Sequence, residues 1–179
     1  LQGFFNIMVD HLYATPVFIN YFKEKPHDNW VIVSPDAGGV ERARIYAKKL
    51  NAPIAIIDKR RSAHNVSEIL HLVGEVKGRH ALIVDDMIDT AGTITAAAGM
   101  LKQEGALSVT ACGVHAVFSG PALERIESSP IDEMVISNSI PLRPEAERIE
   151  KIKQLSVASI LGEAISRIHD DLSVSELFD

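Results

Sequence analysis

Short apolar runs alternate along this chain with segments of helical periodicity. The apolar runs predict strands at residues 31–33, 53–58, 81–84, 108–118 and 134–137, with a last short strand at 153–157. The segments around them predict helices at residues 10–25, 40–50, 93–104 and 160–169. Strands that alternate with helices are typical of a parallel sheet joined by crossover helices. The pattern therefore predicts an α/β fold, with a mostly parallel sheet flanked by helices.

One stretch departs from this alternation. Residues 59–70 are polar and have no clean periodicity, so we interpret them as a loop. No linker-like change in composition divides the chain, and its 179 residues suit one domain over positions 1–179.

Composition narrows the classes of function. The chain is 46% hydrophobic, which suits a buried core, and its net charge of −6 argues against a nucleic-acid partner. No apolar run reaches the length of a transmembrane helix, so we expect no membrane partner. Cys112 is the only cysteine, which excludes a disulfide within the chain and makes a cytoplasmic location the expectation.

The most informative motif lies at residues 83–93. An apolar strand runs into the paired acids Asp85 and Asp86, a turn of small residues follows, and then a helix begins. A helix N-terminus offers free N–H groups to a phosphate, and Gly92 lets the backbone approach it closely. Thr90 and Thr93 add hydroxyl donors, while the two acids can accept hydrogen bonds from sugar hydroxyls or meet a hydrated Mg²⁺. Taken singly, each acid also suits an ordinary turn before a helix cap, but crowded carboxylates repel and favour a ligand site.

A second loop with the same placement follows the first strand. Asp36, Ala37, Gly38 and Gly39 lie between that strand and the next helix. Consecutive small residues allow a nest of N–H groups for a pyrophosphate, and Asp36 can reach a metal ion bound to it. Taken alone, a simple glycine-bearing turn explains this segment equally well.

A third candidate is the basic run after the second strand, which contains Lys59, Arg60 and Arg61. Composition alone favours a solvated charged face for these residues.

Together, these loops resemble those of the ribose-phosphate pyrophosphokinases, and the similarity runs nearly end to end, from residues 2–5 to the tail at 173–178. The resemblance implies a fold of the type I phosphoribosyltransferase kind. It also implies that Asp85 and Asp86 face the ribose hydroxyls of ribose 5-phosphate. The cradle for the 5-phosphate would be formed by Asp89, Thr90, Ala91, Gly92 and Thr93.

The resemblance assigns roles to the other segments as well. It implies that residues 36–39 bind pyrophosphate with Asp36 toward Mg²⁺, and that Lys59 and Arg61 lie on a catalytic loop. In family members regulated by phosphate and ADP, serines near the tail help form an allosteric site between subunits. Ser173 and Ser175 are the corresponding candidates here, although an exposed polar tail explains them as well.

The implied activity is transfer of the pyrophosphoryl group of ATP to the C1 hydroxyl of ribose 5-phosphate, giving 5-phosphoribosyl 1-pyrophosphate and AMP. The resemblance implies Mg²⁺ as cofactor and a homo-oligomer. We expect the chain to be the C-terminal domain of such an enzyme. Without the N-terminal domain, we expect it to bind the sugar phosphate but to make product slowly or not at all. Two alternatives stay open, namely a phosphoribosyltransferase and a non-catalytic regulatory partner that binds the sugar phosphate.

Overall fold

A computed structural model describes residues 2–26, 29–60 and 69–178. Its strands are β1 (Trp30–Ser34), β2 (Ile54–Arg60), β3 (Ile69–Val73), β4 (His80–Ile88), β5 (Ser108–Ala116), β6 (Glu133–Ser137) and β7 (Ile152–Leu155). Its α-helices are α1 (Thr15–Lys23), α2 (Val40–Leu50), α3 (Gly92–Gln103), α4 (Ala122–Ser128), α5 (Pro144–Glu147) and α6 (Ala158–His169). Short 3₁₀ helices lie at Gln2–Phe4 and Ser175–Phe178.

The strands form one seven-stranded sheet in the order β3-β2-β1-β4-β5-β6-β7. All neighbouring pairs are parallel except β2 and β3, which are antiparallel. The predicted mostly parallel sheet is therefore confirmed. Because β1, β2 and β4 run in the same direction, the loops that leave their carboxyl ends emerge at one edge of the sheet.

Two separate cores cover the two faces of the sheet. Val31 and Val33 of β1 lie on one side, in a core that also holds buried residues of α3, α4 and α5. Ile32, between them, lies on the other side, packed with residues of α1 and α2. This alternation follows from the two-residue period of a strand. Since both faces are buried, the central strands are apolar throughout, which is why they read as short continuous apolar runs.

Two predicted elements differ from the structure by more than two residues at one end. The helix predicted at residues 10–25 spans only Thr15–Lys23, because Pro16 occupies its first turn, where a proline is tolerated. Strand β4 continues past Val84 to Ile88 and keeps its pairing with β5, so the acid pair lies inside the strand and not after it.

The loop predicted at residues 59–70 is wrong at both ends. Lys59 and Arg60 belong to β2, while Ile69 and Leu70 begin β3, which pairs with β2 from Arg60↔Ile69 to Ile56↔Val73. Residues 61–68 lie outside the described residues. Strand β3 is five residues long and lies at the sheet edge, so its pairing with β2 defines it and its own periodicity does not. The helices α4 and α5 were not predicted either, because they have only seven and four residues and are too short to show a helical period.

In the part of the chain that the structure describes, none of the helices combines the length and the apolar character needed to cross a membrane.

Gly74 fixes the end of β3 against β2. Its φ is +114°, a conformation that residues with a side chain rarely adopt. A Cβ atom at this position would lie 2.9 Å from both Cα and Cβ of Ala55, which is itself fully buried in β2. The position therefore requires glycine for its backbone conformation and for its close approach to the neighbouring strand.

We expect Gly74→Ala to lower the free energy of unfolding by about 3 kcal/mol, from backbone strain and a clash with rigid main chain. Gly78→Ala is the matched control, because Gly78 also has a positive φ (+70°) but has open space around it. It should cost only about 1 kcal/mol, from backbone strain alone. Urea denaturation measures both values, and equal losses would show that the contact with Ala55 contributes nothing.

Candidate active site

Two loops meet at the carboxyl edge of the sheet. β1 pairs with β4 in parallel register, with Val33 beside Ile83, so both loops emerge at the same edge of the sheet. Strand β4 extends further, to Ile88, whereas β1 ends at Ser34. One loop runs from Ser34 to the start of α2, and the other runs from Ile88 to the start of α3. The two segments that the sequence predicts as phosphate and pyrophosphate sites thus lie at the same edge of the sheet.

The first loop is held by hydrogen bonds of its own residues. The hydroxyl of the fully buried Ser34 donates to the carbonyl oxygen of Asp36 at 2.6 Å. The Gly39 N–H donates to Oδ1 of Asp36 at 2.8 Å. A Cβ atom on Gly39 would lie 2.9 Å from Oγ of Ser34, so a side chain here would require the Ser34 hydroxyl to move. The loop is therefore tight, and Asp36 lies at its exposed side.

The start of α2 is open to an anion. Gly39 is the N-cap residue, and no side chain caps the helix. The first N–H groups of a helix have no partner within it, and they carry the positive end of the helix dipole. With Ala37 and Gly38 exposed in front of them, these groups suit a phosphate or pyrophosphate, as the sequence predicts.

The second loop surrounds a hollow of about 140 Å³, lined by Asp85 and by residues 87–94. Ala91 precedes α3 in the left-handed conformation, with φ +59°. Its carbonyl oxygen accepts hydrogen bonds from the N–H of Thr95, at 3.1 Å, and from the hydroxyl of Thr95, at 2.8 Å. The first residues of α3, Gly92 to Ile94, line the hollow, and no side chain caps the helix. Asp89, Thr90, Gly92 and Thr93 all line it, so the structure brings the predicted cradle together.

A neighbouring loop supports the cradle. The N–H groups of Phe118 and Ser119 donate to the carbonyl oxygens of Ile88 and Asp89, at 3.1 and 3.0 Å. The hydroxyl of Ser119 also donates to the carboxylate of Asp89. The Asp89 carboxylate is thus anchored to the loop after β5, and it holds the start of the cradle in place.

Arg125 of α4 supports the cradle from another direction. Its Nη1 donates to the carbonyl oxygen of Thr90 at 3.0 Å. A Cβ atom added to Gly92 would lie 3.3 Å from the same nitrogen. The guanidinium therefore fixes one peptide of the loop and adds a positive charge beside the hollow.

The acid pair of β4 shares one arginine. Nη2 of Arg42 lies 2.7 Å from Oδ2 of Asp86, and Nη1 lies 3.3 Å from Oδ1 of Asp85. Oδ1 of Asp85 also accepts a hydrogen bond from the Asp86 N–H at 2.9 Å. Arg42 belongs to the first turn of α2, so it connects the helix that follows the first loop with the acids that precede the second.

The two acids differ in exposure. The Asp85 side chain is 22% exposed and that of Asp86 is 61% exposed. Burial raises the pKa of Asp85 to about 6, and the carboxylate of Asp86 adds to the rise. The Asp86 N–H and the Arg42 guanidinium act in the opposite direction on this pKa, and they offset only part of the rise.

Sequence reasoning missed Arg42, Ser119 and Arg125 as members of the site. Arg42 lies in an ordinary helical segment, where nothing in the local pattern marks it. Ser119 and Arg125 reach the cradle from the loop after β5 and from the short helix α4, across the fold. Only the sheet order, which places β5 next to β4, could have indicated them.

Of the two predicted catalytic residues, the structure describes only the main chain of Lys59. Lys59 is the last residue but one of β2, and its main chain pairs with that of Leu70. This places its backbone at the sheet edge where the two loops lie. Arg61 lies outside the described residues.

The predicted allosteric serines lie at the far end of the chain. The hydroxyls of Ser173 and Ser175 are 2.7 Å apart, and both residues line a hollow of about 490 Å³ with Met8, Asp10 and residues near the end of α6. The main-chain oxygen of Ser173 accepts a hydrogen bond from Arg167 at 3.0 Å. Their role in regulation stays a prediction.

The carboxylate oxygens of Asp36 in the first loop suit a cation such as Mg²⁺ that is bound mainly by substrate phosphates and water. No group of three or more histidine, cysteine or acidic side chains forms a metal cluster within residues 2–26, 29–60 and 69–178. Mg²⁺ commonly uses one or two carboxylates, together with water and substrate phosphates. The exposed Asp36 carboxylate beside an open helix N-terminus fits that mode of binding.

The raised pKa of Asp85 predicts a pH-dependent stability. A raised pKa means that the folded state favours the protonated carboxyl of Asp85. The contribution of this protonation to the free energy of unfolding is present at about pH 4 and is lost as the pH rises through about 6. Asparagine does not titrate. We therefore expect Asp85→Asn to raise the melting temperature at about pH 8, and the gain should disappear at about pH 4.

Asp86→Asn is the matched variant for this measurement. It removes one carboxylate from the same pair, but at a position that is 61% exposed, so it should give a smaller gain. Thermal unfolding followed by circular dichroism across this pH range measures both variants. An Asp85→Asn gain that does not change with pH would contradict the prediction.

Comparison with known proteins agrees with this geometry. A curated protein named ribose-phosphate pyrophosphokinase, from Nostoc sp., is 55% identical over 179 residues. The match covers 99% of this chain and 54% of that protein, so the chain spans about half the length of this relative.

Solved structures show the same relationship. A phosphoribosylpyrophosphate synthetase from Mycobacterium smegmatis superposes with a TM-score of 0.86 and 35% identity, covering 95% of this chain and 55% of that one. An adenine phosphoribosyl transferase from Trypanosoma brucei, solved with AMP, pyrophosphate and ribose-5-phosphate, is 17% identical with a TM-score of 0.51. It covers 82% of this chain and 73% of that one, and it shows a shared fold.

A family model described as the phosphoribosyl synthetase-associated domain matches residues 61–179. This segment includes β4, the cradle and the loops that support it. The fold and the family resemblance predicted from the sequence are confirmed, and the chain belongs to the phosphoribosyl synthetase-associated domain family.

Proposed function

We propose that this chain is the C-terminal half of a ribose-phosphate pyrophosphokinase of nucleotide biosynthesis, and that it binds ribose 5-phosphate. In the proposed reaction, the C1 hydroxyl of the sugar attacks the β-phosphorus of ATP. The oxygen–phosphorus bond to the sugar forms, the bond to AMP breaks, and the hydroxyl proton is released. The products are 5-phosphoribosyl 1-pyrophosphate and AMP.

The observation that carries the proposal is the hollow after β4. The open N-terminus of α3 contributes to its lining, as does Asp85 of the acid pair, while Asp86 is the next residue of β4. N–H groups and a positive helix end suit the 5-phosphate, whereas carboxylates accept hydrogen bonds from the ribose hydroxyls. These two kinds of group, a few residues apart on one strand and turn, match the two ends of a sugar phosphate.

The loop after β1 would receive the pyrophosphoryl group. Its open helix N-terminus lies at the same edge of the sheet as the cradle, because β1 and β4 are adjacent and parallel. Asp36 would hold Mg²⁺ against the phosphates, and the ion would neutralise negative charge that builds up during transfer. Electrostatic stabilisation of this kind, together with positioning, supplies most of the catalysis in phosphoryl transfer.

Lys59 and Arg61 are proposed to act on the same charge. Lys59 lies at the end of β2, next to β1 in the sheet, so its main chain lies at the edge where both loops emerge. Cations that close over the transferring group would stabilise the transition state and keep water away.

The transferase alternative is not favoured. The Nostoc relative that bears the name pyrophosphokinase is 55% identical, while the phosphoribosyl transferase structure from Trypanosoma brucei shares 17% identity and therefore only the fold.

We also propose that the protein acts as a homo-oligomer. Phe4 and Met8 are each 90% exposed near the N-terminus, and Ile165 and Ile168 of α6 are 68% and 57% exposed. Apolar surface of this extent favours burial against another chain or domain.

The binding proposal is tested by calorimetry with ribose 5-phosphate. We expect Asp89→Ala to weaken binding about tenfold, because the cradle loses its anchor to Ser119. The same substitution removes a negative charge near the phosphate, which by itself would strengthen binding. We expect loss of the anchor to outweigh it, because backbone N–H groups and not the carboxylate hold the phosphate.

Two variants control this experiment. Ser119→Ala breaks the same hydrogen bond without a change of charge, so it should also weaken binding. Glu104→Ala removes an equal charge at the far end of α3 and should leave affinity unchanged. Unchanged affinity in both Asp89→Ala and Ser119→Ala would remove this loop from the site.

The catalytic role of Lys59 predicts a different pattern. In the enzyme that contains this half, Lys59→Ala should lower kcat by about 10²–10³ and change KM little, because the lysine acts on charge that develops in the transition state. Steady-state measurement of AMP formation gives both constants. A normal kcat with a raised KM would show that the lysine serves substrate binding instead.

A further inference from the structure

Arg42 lies where the two loops come together. Its two terminal nitrogens contact different carboxylates, Asp86 at 2.7 Å and Asp85 at 3.3 Å. A Cβ atom added to Gly39, in the loop after β1, would lie 3.4 Å from Nη1 of the same guanidinium. The Arg42 side chain is 29% exposed, so it is partly enclosed between α2 and β4.

The position of Arg42 would be unfavourable without its partners. It lies in the first turn of α2, where the positive end of the helix dipole disfavours a cation. The adjacent carboxylates of Asp85 and Asp86, in turn, repel each other. One planar guanidinium relieves both problems, because its two terminal nitrogens can bind two acceptors in a fixed relative geometry.

The main effect of these contacts is to fix the orientation of the two carboxylates. Oδ1 of Asp85 contacts Arg42 and the Asp86 N–H, and Oδ2 of Asp86 contacts Arg42. The contacts engage one oxygen of each carboxylate. The other oxygen of each acid is then held in one orientation as an acceptor, and a pre-oriented acceptor loses less entropy when it binds a ligand.

We propose that Arg42 is a positioning residue, which holds Asp85 and Asp86 as a rigid pair that reads the ribose hydroxyls of the sugar phosphate. The inference deepens the proposed function and rests on it. Arg42 acts through the two acids and not on the phosphate, which the N–H groups of α3 hold. Its loss should therefore reduce the preference for a sugar that carries the hydroxyls, more than it reduces affinity for sugar phosphates in general.

The test compares ribose 5-phosphate with 2-deoxyribose 5-phosphate, which lacks one hydroxyl. Calorimetry gives the dissociation constant of each on the wild-type chain, on Arg42→Met and on Arg42→Lys. We expect the wild type to prefer the ribose compound by roughly tenfold, the value of one hydrogen bond to a charged group. Arg42→Met should reduce this preference to about onefold, and Arg42→Lys should give an intermediate ratio, because a lysine cannot form the two-pronged contact.

Arg44→Met is the matched control. Arg44 lies two residues further along the same helix, is 67% exposed and contacts only Glu41 among the described residues. The preference for ribose 5-phosphate should therefore not change in this variant. If Arg42→Met does not fold, as judged by thermal unfolding, the ratio for Arg42→Lys decides the question.

The outcomes separate the two proposals. A preference that Arg42→Met and Arg42→Lys leave unchanged overturns the inference, as does an equal weakening of both ligands, which indicates a purely structural role. A wild type that binds both compounds without preference overturns it as well, but leaves the sugar-phosphate site intact. A wild type that binds neither compound overturns the proposed function itself.

Discussion

The parallel pairing of β1 with β4 is the constraint on which the site depends. These strands are separated by about fifty residues of chain, yet the register that places Val33 beside Ile83 brings their carboxyl ends together. Each strand is followed by a tight turn and by a helix without a side-chain cap. Two open helix N-termini therefore lie at the same edge of the sheet, and each offers N–H groups that suit a phosphate.

Carboxylates also lie close to these helix N-termini, in the acid pair of β4 and in Asp89. A site for phosphates with two adjacent carboxylates next to it would repel its ligand if those charges were uncompensated. Arg42 compensates the acid pair of β4, and Ser119 donates a hydrogen bond to Asp89. In the proposed site, the acids can then serve as acceptors for hydroxyl groups, and the phosphates would bind to backbone N–H groups. The cost appears in Asp85, whose pKa rises to about 6 because the folded state partly buries it.

Much of this could be predicted from the sequence, and the limits have physical causes. The central strands and α2 were predictable because burial on both faces gives continuous apolar runs, and because α2 has a clear helical period. The cradle was predictable because its acids, small residues and helix start are contiguous. Arg42, Ser119 and Arg125 were not, since each reaches the site from another element through the packing of the sheet. Strand β3 escaped because an edge strand of five residues depends on its partner.

The order of the strands has a consequence for how the protein is assembled. The chain first forms β1, β2 and β3 on one side of the sheet, and then crosses from β3 to β4 to form the other side. The segment between β3 and β4 thus separates the molecule into two pieces. The first piece carries Asp36 and Arg42, while the second carries the acid pair and the cradle. The arginine and the two carboxylates that it contacts therefore come from different pieces, and they meet only when β4 pairs with β1.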